Sequence, residues 1–263
     1  MLPVLVLTTA CGRLEFSELA DAGSSDGAIV CTNPVGHDED GDTVDDACDT
    51  CPHLAMATQV DTDGDRIGDA CDPEPMTPRQ RLALFATMRP SDMPFTPLLN
   101  TGRWTQLADG FASDGNGYSG FITDLPLANA VISMGFDVTG QTSGPDAQHQ
   151  IQIYPDHDSG LFTELGFNGS GTNNVPDAAI AHWNGATFLP YLTQPTASGI
   201  HPGTMTITGT WLVGTSVSVD AGWGNETYHV DLSPFSAYQG GMRVKLDSNN
   251  VAFAVTWVHV VGW

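Results

Sequence analysis

Short runs of alternating apolar and polar residues fill the chain from about residue 103 to its C-terminus. The run over residues 148–154 alternates most clearly and places Ile151 and Ile153 on one face. Gly, Asn, Asp and Pro separate the runs, as expected for an antiparallel β-sandwich or barrel. The other predicted strands are residues 130–138, 204–211, 215–220, 227–232, 242–246 and 251–261. The sequence therefore predicts a mainly β fold, with residues 100–263 as one domain.

The residues before this domain divide into zones of different composition. Residues 12–30 are small and polar, which indicates a flexible tether. Residues 31–73 are acidic, and residues 74–99 form a Pro-rich linker. Within the linker, Thr77 suits the N-cap of a helix predicted over residues 78–88, because proline follows at the first helical position.

The charge of the chain is strongly one-sided. It carries 31 Asp and Glu against 8 Lys and Arg, for a formal net charge of −23. Nucleic acid is therefore excluded as a partner, because phosphates require basic surface. Thirteen of the acidic residues lie between Asp38 and Glu74. That concentration directs attention to the acidic zone.

Two stretches of the acidic zone share one spacing. The windows Asp38–Asp49 and Asp61–Asp72 each carry Asp at positions 1, 3, 5, 9 and 12, and Cys at position 11. Carboxylates this close repel strongly without counter-charge, and Arg66 is the single basic residue in either window. Oxygen ligands at positions 1, 3 and 5 with a carbonyl at position 7 predict a calcium loop. The predicted direct ligands are Asp38, Asp40, Asp42, Asp49, Asp61, Asp63, Asp65 and Asp72, with carbonyls from Val44 and Ile67 and a direct, water-mediated or neighbouring-ion role for Asp46 and Asp69.

Two other interpretations of the windows remain. Runs of like charge are commonly solvated linkers, but a linker has no reason to keep this register twice. An EF-hand or dockerin needs helices around each loop, whereas Cys, Pro and Gly flank these windows. Calcium binding outside a helical frame is the favoured interpretation.

The pattern DxDGDxxxDxCD, with Cys51-Pro52 shortly after its first copy, resembles thrombospondin type 3 repeats over residues 31–73. The resemblance implies a segment with little regular secondary structure that wraps around calcium ions and is stapled by disulfides. The family often has Gly at position 6, where Thr43 and Arg66 stand here. Since Gly suits a sharp turn, we expect weaker affinity than in the family.

All five cysteines lie within the first 71 residues. Four of them allow three connectivities, and spacing alone does not choose between these. The resemblance implies Cys31–Cys48 and Cys51–Cys71, and disulfides imply an oxidising compartment. A structural zinc site is the alternative, but only one CxxC pair is present.

The fifth cysteine follows a short apolar run. Residues 1–12 resemble the end of a bacterial lipoprotein signal, in which Cys11 becomes the lipidated N-terminus after cleavage. The alternative is an ordinary apolar N-terminus with a spare thiol. We expect a secreted protein, held by lipid at the bacterial outer membrane or cell surface, with residues 1–11 as a signal remnant.

The last strands offer a second, weaker resemblance. Residues 241–253 and the Val-rich strand after them are similar to the end of concanavalin-A-like lectin and laminin-G-like domains, which implies a jelly-roll-like sandwich that binds glycan or protein. Stacking aromatics are typical of sugar sites. The candidate ligand contacts are Trp183, Tyr191, Trp223 and Tyr228. Trp211 and Trp257 fall inside strands and are assigned to the core.

An enzyme is the competing class. Asp156, Asp158 and Glu164 form a compact acidic group of the kind that glycoside hydrolysis uses. Residues 156–160 are better explained as a turn, and no GxSxG or HExxH motif is present. We therefore expect a non-enzymatic calcium-binding protein whose repeats present a recognition domain, with a hydrolase or a purely structural envelope protein as alternatives.

Overall fold

The computed structural model describes residues 31–56, 58–99, 103–141, 150–157, 162–168, 177–195 and 200–263. The strands within them are β1 (Arg81–Ala86), β2 (Thr96–Leu99), β3 (Trp104–Gln106), β4 (Phe111–Asp114), β5 (Tyr118–Leu127), β6 (Ala130–Gln141), β7 (Gln150–Asp156), β8 (Phe162–Asn168), β9 (Asp177–Trp183), β10 (Phe188–Pro195), β11 (Gly203–Leu212), β12 (Ser216–Trp223), β13 (Glu226–Leu232), β14 (Gly241–Asn249) and β15 (Val251–Gly262). No helix in the described part of the chain is long and apolar enough to cross a bilayer.

The strands form two antiparallel sheets, which confirms the predicted sandwich. Sheet A has eight strands in the order β13-β12-β11-β6-β15-β4-β3, with β1 also beside β15. Sheet B has seven, in the order β10-β9-β8-β7-β14-β5-β2. The first part of β15 pairs with β4 and the later part with β1, so one long strand is flanked on one side by two short strands.

The core lies between the sheets and follows the two-residue alternation of the strands. In β11, Ile207 and Trp211 are buried while threonines occupy the alternate, partly exposed positions. An aromatic cluster fills one end, where the Trp104 ring meets Phe121 edge-on at 4.8 Å and Phe253 at 5.6 Å between centroids. Burial of such large rings supplies most of the sandwich's stability.

Trp211 is fully buried as predicted, but the assignment of Trp257 to the core is wrong. The register of β15 shifts between Val255 and Trp257. Before this bulge the buried positions are odd-numbered, and after it Val258 and Val260 are buried. The extra residue therefore turns Trp257 to the outer face of sheet A.

The predicted helix over residues 78–88 is also wrong. Residues 81–86 form β1, which pairs with the second part of β15. The run RLALFA suits a helix or a strand locally, and the open edge of β15 decides in favour of the strand. Residues 96–99 form the edge strand β2, where proline is tolerated. The segment assigned to a linker thus contributes strands to both sheets.

Candidate functional site

The two aspartate windows fold into loops of the same conformation, named here the first loop (Asp38–Asp49) and the second loop (Asp61–Asp72). Position 4 has positive φ in both, 79° at Gly41 and 83° at Gly64. Position 6 does as well, 81° at Thr43 and 77° at Arg66. A side chain in the left-handed region is strained, so both loops hold a residue where glycine would fit better.

The same hydrogen bonds build both loops. The position-1 carboxylate accepts from the N–H groups of position 4 at 2.8 Å and position 6 at 2.9 Å in each. The position-5 carboxylate accepts from the N–H of position 7 at 2.8 Å in the first loop and 3.0 Å in the second. The position-12 carboxylate accepts from the N–H two residues further on at 2.7 Å in both. The backbone therefore fixes each aspartate in the same place twice.

The aspartates at positions 1, 3 and 5 converge in each loop. Asp38, Asp40 and Asp42 offer oxygens that all lie within 4.8 Å of one another, and so do the equivalent three of the second loop. Calcium binds oxygens at 2.3–2.6 Å, so two ligands of one ion are at most about 5 Å apart. Each set of three therefore has the spacing that one calcium ion requires.

Several oxygens of these carboxylates lack any partner within the described structure. They are the buried Oδ2 atoms of Asp40, Asp63, Asp65 and Asp72. A buried carboxylate oxygen without a donor is costly. A cation held by these oxygens removes that cost, which distinguishes the loops from a solvated acidic surface.

The electrostatics agree with this geometry. Burial raises the pKa of Asp40, Asp65 and Asp72, and the charges of neighbouring aspartates raise it further. Burial also raises the pKa of Asp49 to about 6. In Glu39, burial and then the charge of Asp109 raise the pKa to about 8. The loops are therefore short of positive charge, and a divalent ion would supply it.

Position 9 has a role that the sequence analysis did not single out. Asp46 accepts from the Glu39 N–H at 2.9 Å and bonds the His37 Nδ1 at 2.7 Å. Asp69 accepts from the N–H and the hydroxyl of Thr62 at 2.7 and 2.6 Å. These bonds use both oxygens of each carboxylate, and neither residue joins a set of three. Position 9 closes the loop.

Both disulfides that the resemblance implied are present. Cys31 pairs with Cys48, and Cys51 with Cys71, at Cα separations of 5.5 and 5.7 Å. Each bridge anchors position 11 of one loop to the chain that precedes that loop. Cys11 lies outside the described residues.

One histidine of the acidic segment stacks on the outer face of sheet A. The His53 ring lies 4.7 Å from Trp257 and 4.3 Å from His259, centroid to centroid. Burial lowers the pKa of His53 to about 4 and the pKa of His259 well below its ordinary value. Both rings are therefore neutral at pH 7. No motif in the sequence marked this contact, because its members come from distant segments.

Sheet B carries a polar patch on its outer face. The hydroxyls of Tyr118 and Tyr154 donate to Asp247 Oδ2 at 2.6 and 2.5 Å. Asp247 is 1% exposed, and its Oδ1 has no hydrogen-bond partner. Burial raises the pKa of this carboxyl. The group lies directly over Gly120, where a Cβ would approach Asp247 Oδ1 to 1.9 Å.

An ion-pair group adjoins this patch. Arg243 Nη2 and Lys245 Nζ lie 2.8 and 3.1 Å from Asp156 Oδ2, and Asp156 is 2% exposed. The two cations thus hold this carboxylate at the end of β7, and its charge helps to raise the pKa of the nearby Asp247. Of the other acids weighed for hydrolysis, Asp158 lies outside the described residues, and Glu164 lies in β8. Of the three acids weighed for hydrolysis, the structure therefore describes only the Asp156 carboxylate, which is held in ion pairs.

The four candidate ligand aromatics have different environments. Trp223 and Tyr228 are 3% and 8% exposed and belong to the core, so they present no open ring face for a sugar. Trp183 is partly exposed and lies 5.0 Å from the exposed Phe188 ring. Tyr191 pairs with Ala181 in the β9–β10 ladder, and its side chain lies outside the described part.

Trp183 shares the outer face of sheet B with the polar patch. Ala178 and Ile180 belong to the core, so alternation places Trp183 on the opposite face of β9. In the backbone ladders Trp183 aligns with Phe162 of β8, and Phe162 with Asp156. Trp183 thus lies on the same face of sheet B as the Asp156 ion-pair group.

No family profile matches the chain, and no curated protein sequence matches it. Solved structures show the fold. The CBM2 module of the evolved Dit protein from Lactobacillus casei BL23 phage J-1 aligns with a TM-score of 0.51 and 9% identity, over 69% of this chain and 95% of the module. The Ca2+- and mannose-bound lumenal domain of VIP36 aligns with a TM-score of 0.51 and 10% identity, over 67% of this chain and 88% of that domain. The Lotus tetragonolobus seed lectin aligns with a TM-score of 0.50 and 11% identity, over 67% of this chain and 96% of the lectin. The chain therefore contains a β-sandwich of the fold found in lectins and carbohydrate-binding modules.

Proposed function

We propose that this protein binds calcium through its two aspartate loops and uses that segment to support a β-sandwich that recognises a glycan. The observation that carries the calcium proposal is the duplicated geometry, in which oxygens of Asp38, Asp40 and Asp42 converge in the same way as their counterparts 23 residues later. A fortuitous acidic surface has no reason to repeat its hydrogen bonds.

Calcium fits the loops better than magnesium because three carboxylates converge in each loop. Magnesium usually keeps several waters and is bound by only one or two carboxylates. Carboxylates at positions 1, 3, 5 and 12 would bind the ion, and the carbonyls of Val44 and Ile67 complete the proposed ligand set. Bound calcium supplies charge neutralisation and order, since binding and folding of such a segment are one process.

Isothermal titration calorimetry of the whole oxidised chain tests the calcium proposal. We expect at least two calcium ions per chain. Asp40→Asn should remove the first loop's ion and Asp63→Asn the second loop's, because each loses an inward ligand. Asp231→Asn removes the same charge from an exposed position on β13 and should leave the stoichiometry unchanged. Unaltered binding in all three variants would refute the assignment.

Glycan recognition is the second part of the proposal. The shared fold supports it, and so does the outer face of sheet B, where Trp183 aligns through the backbone ladders with Asp156 and its cationic partners. Aromatic rings with a few fixed polar groups are the usual components of a sugar site. Binding of the whole chain to a glycan array, repeated with Trp183→Ala and Tyr118→Ala, is the test.

We expect a ligand found on the array to lose about tenfold in affinity in Trp183→Ala, which corresponds to about 1.4 kcal/mol. It should keep its affinity in Tyr118→Ala, because Tyr118 lies at the opposite end of the sheet. Thr206→Ala alters the outer face of sheet A instead and should bind normally. Absence of any glycan ligand, or a loss equal in the control, would leave the calcium proposal standing and remove the lectin proposal. The two parts fail separately.

We further propose that the protein is secreted and lipid-anchored through Cys11. The two disulfides support an oxidising compartment. Radiolabelled palmitate should enter the wild-type protein in a bacterial host and should not enter Cys11→Ser. Equal labelling of both would contradict the anchor.

A further inference from the structure

Three metal-ligating side chains converge beside the first loop without belonging to its calcium set. His37 and Glu39 flank Asp38, and Asp109 comes from the turn between β3 and β4. Their ligand atoms all lie within 4.8 Å of one another. The group therefore joins the acidic segment to the sandwich.

The His37 ring is oriented by a carboxylate behind it. Its Nδ1 lies 2.7 Å from Asp46 Oδ2, and a carboxylate can only accept, so Nδ1 carries the hydrogen. Nε2 lies 3.5 Å from Asp109 Oδ1 and 3.9 Å from Glu39 Oε2. A histidine that donates one N–H to a carboxylate and turns the other nitrogen to open ligands is the arrangement seen around bound zinc.

Acidic side chains outnumber basic ones around this group, although the charge of Arg89 also acts on Glu39. The side chains of Glu39 and Asp46 are 11% and 6% exposed, and Asp109 is the exposed member at 62%. Three carboxylates thus face one imidazole. A divalent ion between them offsets their repulsion, and Asp109 offers a route of entry from solvent.

We propose that His37, Glu39 and Asp109 form a third cation site, distinct from the calcium loops, that takes a borderline divalent ion of the zinc class. The imidazole nitrogen sets the selectivity, because calcium and magnesium take oxygen ligands whereas zinc readily takes nitrogen. Ligands of tetrahedral zinc at 2.0–2.2 Å stand about 3.3–3.5 Å apart. The observed separations of 3.5 and 3.9 Å need only slight closure.

The second loop lacks these ligands and therefore serves as a comparison for the first loop. Val60 and Thr62 occupy the positions of His37 and Glu39, and Asp69 accepts from Thr62 where Asp46 meets the histidine. The fold of the loop is thus independent of the nitrogen ligand. The described residues therefore contain one site of this kind, and it connects the first loop to the β3–β4 turn.

The test is a zinc titration of the whole oxidised chain in saturating calcium, followed by calorimetry and by the 15N shifts of the imidazoles. We expect one zinc per chain and a shifted Nε2 in one histidine. His37→Gln and Asp109→Asn should weaken zinc binding about 10- to 100-fold while calcium stoichiometry stays unchanged.

The control is His229→Gln. His229 also bonds a carboxylate, Asp220, at 2.7 Å, but both are exposed and no third ligand among the described residues converges there. It should bind zinc as the wild type does. The proposal is overturned if calcium abolishes zinc binding, if His37→Gln binds zinc normally, or if the control loses it. None of these outcomes bears on calcium binding by the aspartate loops.

Discussion

The acidic segment and the sandwich are stabilised by different means. The sandwich has a continuous apolar core between two sheets. In the described part of residues 31–73 the buried apolar side chains are Cys51, Pro52 and Ile67. Order comes from two disulfides, aspartate-capped turns and contacts with the sandwich, among them the stack of His53 on sheet A. Because apolar burial is intrinsic to the chain while the loops hold partnerless carboxylate oxygens, we expect only the segment to depend on an ion.

Chelation should produce the largest difference between the two regions. In EDTA the repulsion within each loop is no longer offset, so residues 31–73 should lose protection from amide hydrogen exchange and become sensitive to protease. The strands of the sandwich should keep their protection. An equal loss of protection in both regions, or no loss in either, would contradict the claim that only the acidic segment depends on an ion.

Damage to the core should have the reverse effect. Phe121 is fully buried between Phe95 and Trp104, so Phe121→Ala should cost the sandwich about 3–5 kcal/mol. Chemical denaturation in saturating calcium measures it. Leu82→Ala, at an exposed position of β1, is the control and should cost far less. A small effect of Phe121→Ala would mean that the core does not hold the sandwich.

Acid should loosen the contact between the two regions. Burial lowers the pKa of His53 to about 4 and lowers that of His259 further, so the unfolded chain takes up protons first. The stability that depends on keeping these imidazoles neutral is fully present above pH 6.5. It is lost as the pH falls from 6.5 towards 4, and the loss for His53 is on the order of 3 kcal/mol. Thermal unfolding in saturating calcium across this range measures the loss.

His53→Phe isolates the imidazole in that experiment. Phenylalanine keeps a ring against Trp257 but cannot be protonated, while the aspartates titrate as before. The variant should therefore show a shallower fall in stability below pH 6.5 than the wild type. Identical pH profiles would show that the histidine stack does not control the contact.

The smallest effect concerns the strained backbone of the loops. Arg66 has a φ of 77°, so Arg66→Gly should relieve about 1 kcal/mol and raise the calcium affinity of the second loop about fivefold. Calorimetry measures the change. Ala70→Gly, in the same loop without positive φ, should not raise it.

The local features of both regions could be predicted from the sequence. The spacing of aspartates marked the converging sets, because ligands on one short loop are close in sequence as well as in space. The alternation of residues 148–154 likewise marked one face of β7, where Ile151 and Ile153 are fully buried. The disulfide pairs came from resemblance and not from spacing.

Features that depend on distant pairing could not be predicted. The bulge that turns Trp257 outward exists only in the ladder of β15 with β6, and β1 is a strand because β15 leaves an edge for it. The contacts of His53 with His259 and of His37 with Asp109 join residues far apart in the chain. No local pattern reports such pairs.

Native mass spectrometry of the intact, oxidised chain in millimolar calcium tests the central claim most directly. We predict a dominant species with at least two calcium ions, reduced by one in Asp40→Asn or Asp63→Asn and by two in the double variant. A wild-type chain that carries no more calcium than the double variant would contradict the account.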